Sequence, residues 1–376
     1  MALLASTALA SAGGLDRNTL GTGFLFESGT YVELGYTVVS PDVSGVLTAG
    51  PIGSGDITPS FGYATLSYTQ QINDQLTFGL VVDAPYGADV AYPAGGSYPF
   101  RESQAQVRTQ QITAAIRYEF TENISAYAGL RAMRGQANDV YVSVAAPALA
   151  TTRFSYRLDA ESDWAFGYMV GAAYEIPDIA LRVALTYFSE VELSMSGSQG
   201  AVTGAGAALA ARAGIATSVA NFNVTMPQSV LLEAQSGVAA GTLVFGSVRW
   251  TNWDGFAIIP GNYPAPGGAL VSYTNDVWTW NLGVGRQIND DLAMSASITY
   301  EAELDGFQGQ LGPTDGRLSL GIGAEYAVTD SMSIAGGVQY IMIGDAQTEA
   351  GTSGTALANF NDNDAIAAGI RISFQF

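Results

Sequence analysis

Apolar and polar residues alternate along most of this chain. In residues 179–187 the odd positions are Ile, Leu, Val, Leu and Tyr, and the even ones are Ala, Arg, Ala and Thr. Leu292, Met294, Ala296, Ile298 and Tyr300 alternate with Ala293, Ser295, Ser297 and Thr299. Ile366, Ala368, Ile370, Ile372, Phe374 and Phe376 alternate with Ala367, Gly369, Arg371, Ser373 and Gln375. Residues 124–132 do the same. A period of two gives a strand one apolar face and one small or polar face. Such runs fall near 30–40, 61–71, 75–85, 105–120, 123–137, 155–176, 179–193, 222–236, 241–256, 271–288, 291–304, 316–328, 331–344 and 363–376. They predict an all-β chain of about fourteen strands.

The connections alternate in length. Tight turns rich in Asn and Asp fall at 71–75, 120–123, 175–178, 287–291 and 327–331. Between them lie long connections near 41–60, 86–104, 138–154, 194–221, 257–270, 305–315 and 345–362, rich in Gly, Pro, Ser and Asn. Short turns on one rim and long loops on the other, with an even strand number, are the pattern of a transmembrane antiparallel β-barrel. The small face carries Arg117, Arg131, Arg182, Arg317 and Arg371 in mid-strand. A sandwich core would not hold so many guanidinium groups, whereas a hydrated lumen would, with the apolar face on lipid. Tyr118, Tyr174 and Tyr326 fall at the short-turn end of that apolar face, and Tyr187, Tyr300 and Tyr340 at the long-loop end, as aromatic girdles would.

Composition agrees. Of 376 residues, 48% are apolar and only 13% charged, about half the charged share of a soluble protein. The longest apolar runs, such as 205–211, fall short of the roughly 18–20 residues of a spanning helix, and only helices and closed barrels satisfy their backbone in lipid. The net charge of −20 argues against nucleic acid as a partner. The chain has no His and no Cys, and its 14 basic residues are all Arg. That removes Ser-His and Cys-His nucleophiles, zinc sites built on those residues, and disulfides. No cofactor, metal site or catalytic residue is expected. The Gly-rich stretches at 283–285, 312–316 and 321–323 lack the strand-to-helix setting of a phosphate loop. Residues 1–12 read as a signal-peptide remnant, with Ala10 and Ala12 at a small-x-small cleavage site.

The stretch Tyr31-Val-Glu-Leu-Gly-Tyr-Thr-Val-Val-Ser-Pro-Asp-Val-Ser-Gly45 resembles the first strand of the FadL/TodX family, the outer-membrane transporters of long-chain fatty acids and aromatic hydrocarbons. Val82-Asp-Ala-Pro-Tyr-Gly87 resembles the end of its third. Met226-Pro-Gln-Ser-Val230 and Thr251-Asn-Trp253 resemble a hairpin of the family, and the terminal Phe376 resembles the signature read by the outer-membrane assembly machinery. The likeness runs from about residue 13 to the end. It implies a monomeric barrel over 30–376 in the bacterial outer membrane, with a lumen plugged by an N-terminal hatch at 13–29. It also implies capture of an apolar ligand at extracellular loops, and sideways release into membrane lipid at a kinked third strand. The hatch here is short and lacks the family's Asn-Pro-Ala motif.

Candidate residues follow from both lines. Phe24 and Phe26 in the hatch, with Val142, Val144, Leu149, Leu209, Ile215, Phe256 and Ile258 in unusually apolar loops, are candidates for ligand binding. Arg117, Arg131, Arg182 and Arg371 are candidate lumen charges, for a ligand carboxylate or for lumen acids such as Glu119, Glu175, Glu301 and Glu325. Gly79, Asp83, Pro85 and Gly87 are candidates for a lateral gate, since Gly and Pro break strand pairing. The expected function is passive uptake of hydrophobic molecules, without a chemical step. The alternative is a general diffusion porin for small polar solutes. A barrel enzyme is disfavoured, because its known forms use His.

Overall fold

The computed structural model describes residues 15–18, 21–145, 153–201, 218–260, 269–304, 306–349 and 354–376. In chain order the wall strands are β1 (Thr30–Asp42), β2 (Phe61–Asn73), β3 (Leu76–Asp83, resuming as Gly87–Ala91), β4 (Gln104–Thr121) and β5 (Ile124–Ala145). There follow β6 (Arg153–Ser162, resuming as Ala165–Ile176), β7 (Leu181–Phe188, resuming as Val191–Ala201) and β8 (Ser218–Met226, resuming as Ser229–Ala239). The wall ends with β9 (Thr242–Thr251), β10 (Val277–Gln287), β11 (Leu292–Glu301), β12 (Arg317–Thr329), β13 (Met332–Ile343) and β14 (Asn363–Gln375). Neighbours in sequence pair antiparallel, and β1 pairs with β14 from Tyr31↔Gln375 to Asp42↔Asp364, which closes a 14-strand barrel. Closure leaves no sheet edge to face lipid. Among the described residues no helix is long and apolar enough to cross a membrane.

The alternation decides which face is which. On β12, Leu320 and Ile322 are 51% and 62% exposed on the outside, while Ser319 between Leu318 and Leu320 is fully buried. On β7, Leu185 is 53% exposed and Ala184 is buried in the lumen. Tyr118, Tyr174 and Tyr326 lie exposed toward the short-turn rim, and Tyr300 and Tyr340 toward the other. Both ends of the wall, Thr30 and Gln375, also lie on the short-turn rim.

The strands differ from their expected lengths where the alternation changes phase. Residues 138–154 and 194–221 read as loops, but β5 runs on to Ala145, β6 begins at Arg153, β7 reaches Ala201 and β8 begins at Ser218. Below the interruptions the apolar side chains point out; above them they point in. On β5, Arg131, Met133 and Ala137 are the inward residues, and after a bulge at Asn138-Asp139 the inward residues become Val140 and Val142. Asp139 takes φ 50°, the left-handed conformation such a bulge needs. Ser189-Glu190 on β7 and Pro227-Gln228 on β8 also interrupt their strands and shift the alternation by one residue, so that Val191, Leu193, Val224 and Met226 turn inward. A one-residue slip swaps the two faces of a strand. Below, the outer solvent is hydrocarbon; above, it is water, and the apolar face moves to the inside.

The lumen is filled in two tiers. The upper tier is one apolar cluster that includes Tyr86, Tyr156, Leu158, Leu193, Met226 and Trp253. The lower tier forms around the N-terminal segment, where a short 3-10 turn at Gly23–Phe26 packs Phe24 and Leu25 against Val81, Ala115, Tyr127 and Leu231.

Candidate functional site

The wall opens at β3. The β2–β3 ladder stops at Leu66↔Val82, while β1 stays paired with β2 as far as Val39↔Phe61. On the other side, Asp83 pairs with Gln111 and Gly87 with Arg108. Ala84, Pro85 and Tyr86 therefore face only Gln110 and Thr109, one residue too many for a regular ladder. Pro85 has no N–H to offer a ladder, and Gly87 has no Cβ to obstruct the bend. A Cβ on Gly87 would stand 2.8 Å from the Val107 carbonyl oxygen and 2.6 Å from Arg17 Nε. Thr109 secures the bend on the β4 side: the Tyr86 N–H donates to its hydroxyl at 2.9 Å, and that hydroxyl donates to the Tyr86 carbonyl at 2.8 Å.

The N-terminal segment occupies the edge that β2 leaves. The Arg17 N–H donates to the Pro85 carbonyl at 2.8 Å, and the Gly87 N–H donates to the Leu15 carbonyl at 2.8 Å. Asp16 thus sits in an antiparallel bridge with Tyr86. Arg17 spans the gap with its side chain. Its Nη2 lies 2.5 Å from Asp89 on β3, and its guanidinium stands 4.0 Å from the centre of the Phe61 ring on β2. Asn18 Nδ2 donates to Asp83 at 3.5 Å, and Gln111 Nε2 donates to the same carboxylate at 3.2 Å. Asp16 accepts from Trp253 Nε1 at 3.1 Å. Burial pushes the Asp16 carboxyl above its usual range, against the pull of Arg249, the Trp253 hydrogen bond and Arg317.

Residues 22–26 of the segment are pinned to the β2–β8 half of the wall. A Cβ on Gly79 would lie 2.5 Å from the Phe24 ring and 2.7 Å from Leu25, so the glycine is the seat of the 3-10 turn. Thr69 Oγ1 donates to the Phe24 carbonyl at 2.6 Å. The Thr22 N–H donates to Glu233 at 3.0 Å, and its hydroxyl bonds the same carboxylate. Phe26 lies between Arg117 and Arg182, each guanidinium 4.4 Å from the ring centre. Beside the segment, a chamber of about 610 Å³ runs from the short-turn rim up to Asn18 and Gln339. Its walls are mostly small or polar, with Thr37, Ser67, Ser297, Gly337 and Gly369 among them, and it carries Glu33, Glu325 and Arg371.

The candidates from sequence divide accordingly. Asp83, Pro85 and Gly87 come together at the opening in β3, whereas Gly79 stays in the ladder below it, paired with Thr69 and Ala115. Phe24 and Phe26 lie in the lumen beneath it. The lumen arginines pair with protein groups: Arg117 with Glu119 at 2.8 Å and with Glu175, and Arg371 with Glu33 at 3.4 Å. Arg131 donates to the Ser189 carbonyl and to Gln111, each at 2.8 Å, and Arg182 donates to Gln235 at 3.2 Å. Val142, Phe256 and Ile258 are buried in the upper cluster, with Val144 packed against it, so they do not form an exposed greasy patch. Val142 and Val144 belong to β5, not to a loop. Leu149, Leu209 and Ile215 lie outside the described residues. Sequence reasoning missed Arg17, Asp89 and Glu233. An arginine in the otherwise uncharged stretch between Asp16 and Glu27 was the available signal for the first of them.

Residues 12–376 match the model of a family described as outer membrane protein transport protein (OMPP1/FadL/TodX). The chain belongs to that family. It is an outer-membrane β-barrel transport protein of bacteria. The fold is similar to a crystallised Pseudomonas aeruginosa FadL homologue, with TM-score 0.77 and 14% identity over 94% of this chain and 92% of that one. It is also similar to the Pseudomonas putida toluene transporter TodX, with TM-score 0.65 and 15% identity over 93% and 91%. For the Ralstonia pickettii toluene transporter TbuX the values are 0.63 and 14%, over 94% and 91%. At these identities the likeness concerns the fold. A search of curated proteins returned no significant sequence match.

Proposed function

We propose that this transporter takes up hydrophobic molecules, of the monoaromatic hydrocarbon or long-chain fatty acid kind, and releases them sideways between β2 and β3. One observation carries the proposal: the wall is interrupted where β2 and β3 part, and the chain's own residues 15–18 fill the interruption. The similar structures include toluene transporters and a FadL homologue, which supports the ligand class. The upper cluster supplies an apolar reception layer, and residues 13–29 act as the hatch beneath it.

The two exits differ in chemistry. The chamber toward the periplasm is walled mostly by small, polar and charged groups, so an apolar molecule gains less by entering it than by entering lipid. The gap leads to membrane lipid, where burial of apolar surface is worth about 25 cal/mol per Å². Release sideways follows the gradient. No chemical step is involved, and no cofactor. The same proposal takes the barrel to be a monomer surrounded by outer-membrane lipid. It also takes Phe376, exposed on the rim and stacked 6.5 Å from Phe374, to be the signal for the assembly machinery.

The test is a reversible clamp. Cysteines replace Arg17 and Asp89, whose side chains meet where the N-terminal segment lies on β3 in the opening, and are joined by a disulfide-containing bifunctional reagent that locks the segment in place. The native chain holds no cysteine to interfere. Uptake of toluene into proteoliposomes should stop on clamping and return with reductant. Uptake that continues through the clamped, folded barrel would refute lateral release and favour the chamber route.

A further inference from the structure

On the inner wall of β12 and β13, three neighbouring side chains carry buried polar atoms for which the described protein offers no hydrogen-bond partner. They are Nε and Nη1 of Arg317, Oγ of Ser319, and both amide atoms of Gln339. All three residues are at least nine-tenths buried. Arg317 and Ser319 are successive inward positions on β12. Gln339 stands opposite Gly321, the next inward position on that strand, so the three form one patch. Gln339 also lines the chamber at its upper end. From the patch an apolar strip continues through Ile341, Ala367 and Tyr63 to Phe61 and Ala84, the residues that border the opening between β2 and β3.

The kinds of unmet atom select a ligand. Arg317 and the Gln339 amide nitrogen are donors, the Gln339 amide oxygen is an acceptor, and Ser319 is both. An ionised carboxylate only accepts, and would leave the amide oxygen unmet. A plain hydrocarbon meets none of these atoms. A hydroxyl donates and accepts. Charge gives the same answer: Arg317 lies 3.5 Å from Glu301, with side chains 1% and 2% exposed, so its charge is already balanced. A second carboxylate would bring unbalanced charge into a buried site, which is costly.

We propose that Arg317, Ser319 and Gln339 form a head-group site for a hydrophobic molecule bearing a neutral hydroxyl, an alcohol or a phenol. The hydroxyl sits on the patch and the apolar body lies along Ile341 and Tyr63, aimed at the opening. This inference rests on the uptake function proposed above and names the cargo within it.

Three probes with one body and different heads decide it: 4-ethylphenol, ethylbenzene and 4-ethylbenzoate. Binding to the full chain in detergent is measured by titration calorimetry, and uptake by flux into proteoliposomes. The phenol should bind at least about tenfold tighter than ethylbenzene, because a site built to hydrogen-bond a hydroxyl rejects the analogue without one. Gln339→Leu and Ser319→Ala should each shrink that preference. Folding of each variant is checked by heat-modifiable migration in gels; if both fail to fold, the ranking of the three probes on the native chain decides. Equal binding of phenol and ethylbenzene, or a preference that survives both substitutions, overturns the head-group site, while ethylbenzene flux would leave hydrophobic uptake standing. Tightest binding of the benzoate overturns it in favour of an anion site. If no probe binds or crosses, the uptake function falls with it.

Discussion

The Phe26 ring is held between the guanidinium groups of Arg117 and Arg182, each 4.4 Å from its centre, and Tyr127 meets it edge-on at 6.0 Å. Arg117 belongs to β4 and Arg182 to β7, so a single aromatic side chain ties the N-terminal segment to two separate parts of the wall. Arg117 is itself fixed by Glu119, Glu175 and Ser125. The contact is therefore made to a rigid charge rather than to a mobile one.

Removing that ring should loosen the plug without opening the barrel. Each cation–π contact is worth about 0.5–2 kcal/mol, depending on desolvation. Phe26→Ala is expected to raise single-channel conductance in planar bilayers, with the thermal unfolding of the barrel little changed. Conductance equal to that of the native chain would mean that Thr22–Glu233 and the Phe24 seat on Gly79 suffice alone.

The Arg17–Asp89 pair makes a second prediction, for flux. Arg17→Gln removes a side chain that touches both borders of the gap. Hydrophobic flux into liposomes is expected to rise several-fold, and Asp89→Asn to act in the same direction. The exchange Arg17→Asp with Asp89→Arg should bring the rate back part of the way. A fall in flux for either single variant would show that the pair guides cargo instead of closing its path.

The two faces of the wall can be distinguished by charge. Ile322→Arg places a guanidinium on the lipid face between the levels of Tyr326 and Tyr340, at a cost of about 2–4 kcal/mol near the midplane. Ser297→Arg places one in the chamber, where there is room and water. The first variant should assemble poorly and the second normally, judged by heat-modifiable migration of the membrane fraction. The reverse order would put the register off by one residue.

Acidity should tighten the plug. Glu27, beside the 3-10 turn, has its carboxyl pushed up to about 7 by burial in the lumen, only partly offset by Arg182 and reinforced by Glu33 and Glu325. A raised carboxyl means that the docked segment holds a proton which the undocked one has released. Docking is then strongest below the ordinary value of 4.5, and weakens as pH rises through about 7. Conductance should accordingly be higher at pH 8 than at pH 5, and Glu27→Gln should flatten the dependence. A native chain with equal conductance at both values would contradict it.

The sequence by itself determined the wall. Alternation, turn lengths and mid-strand arginines are local signals, and pleating converts them directly into an outside and an inside. That is why Leu185 and Arg182 could be assigned to opposite faces, and why Glu119 and Glu175 could be named as arginine partners. The same logic misled at 138–154 and 194–221. There the alternation persists but changes phase at Asn138-Asp139, Ser189-Glu190 and Pro227-Gln228, and an apolar face turned inward looks like loop when an outward one is expected. Asp83, Pro85 and Gly87 were legible as a place where pairing fails, but not as an opening with an occupant, and Gly79, expected beside them, stays paired and seats the N-terminal turn instead. Only the tertiary structure decided that Arg17 meets both Asp89 and Phe61, that Glu233 holds Thr22, and that Phe26 settles between Arg117 and Arg182. Those partners are far apart in sequence, and closing the barrel is what brings them face to face across the lumen. Residue type and spacing fix which way a strand's side chains point, whereas tilt, stagger and closure of all fourteen strands fix what they meet.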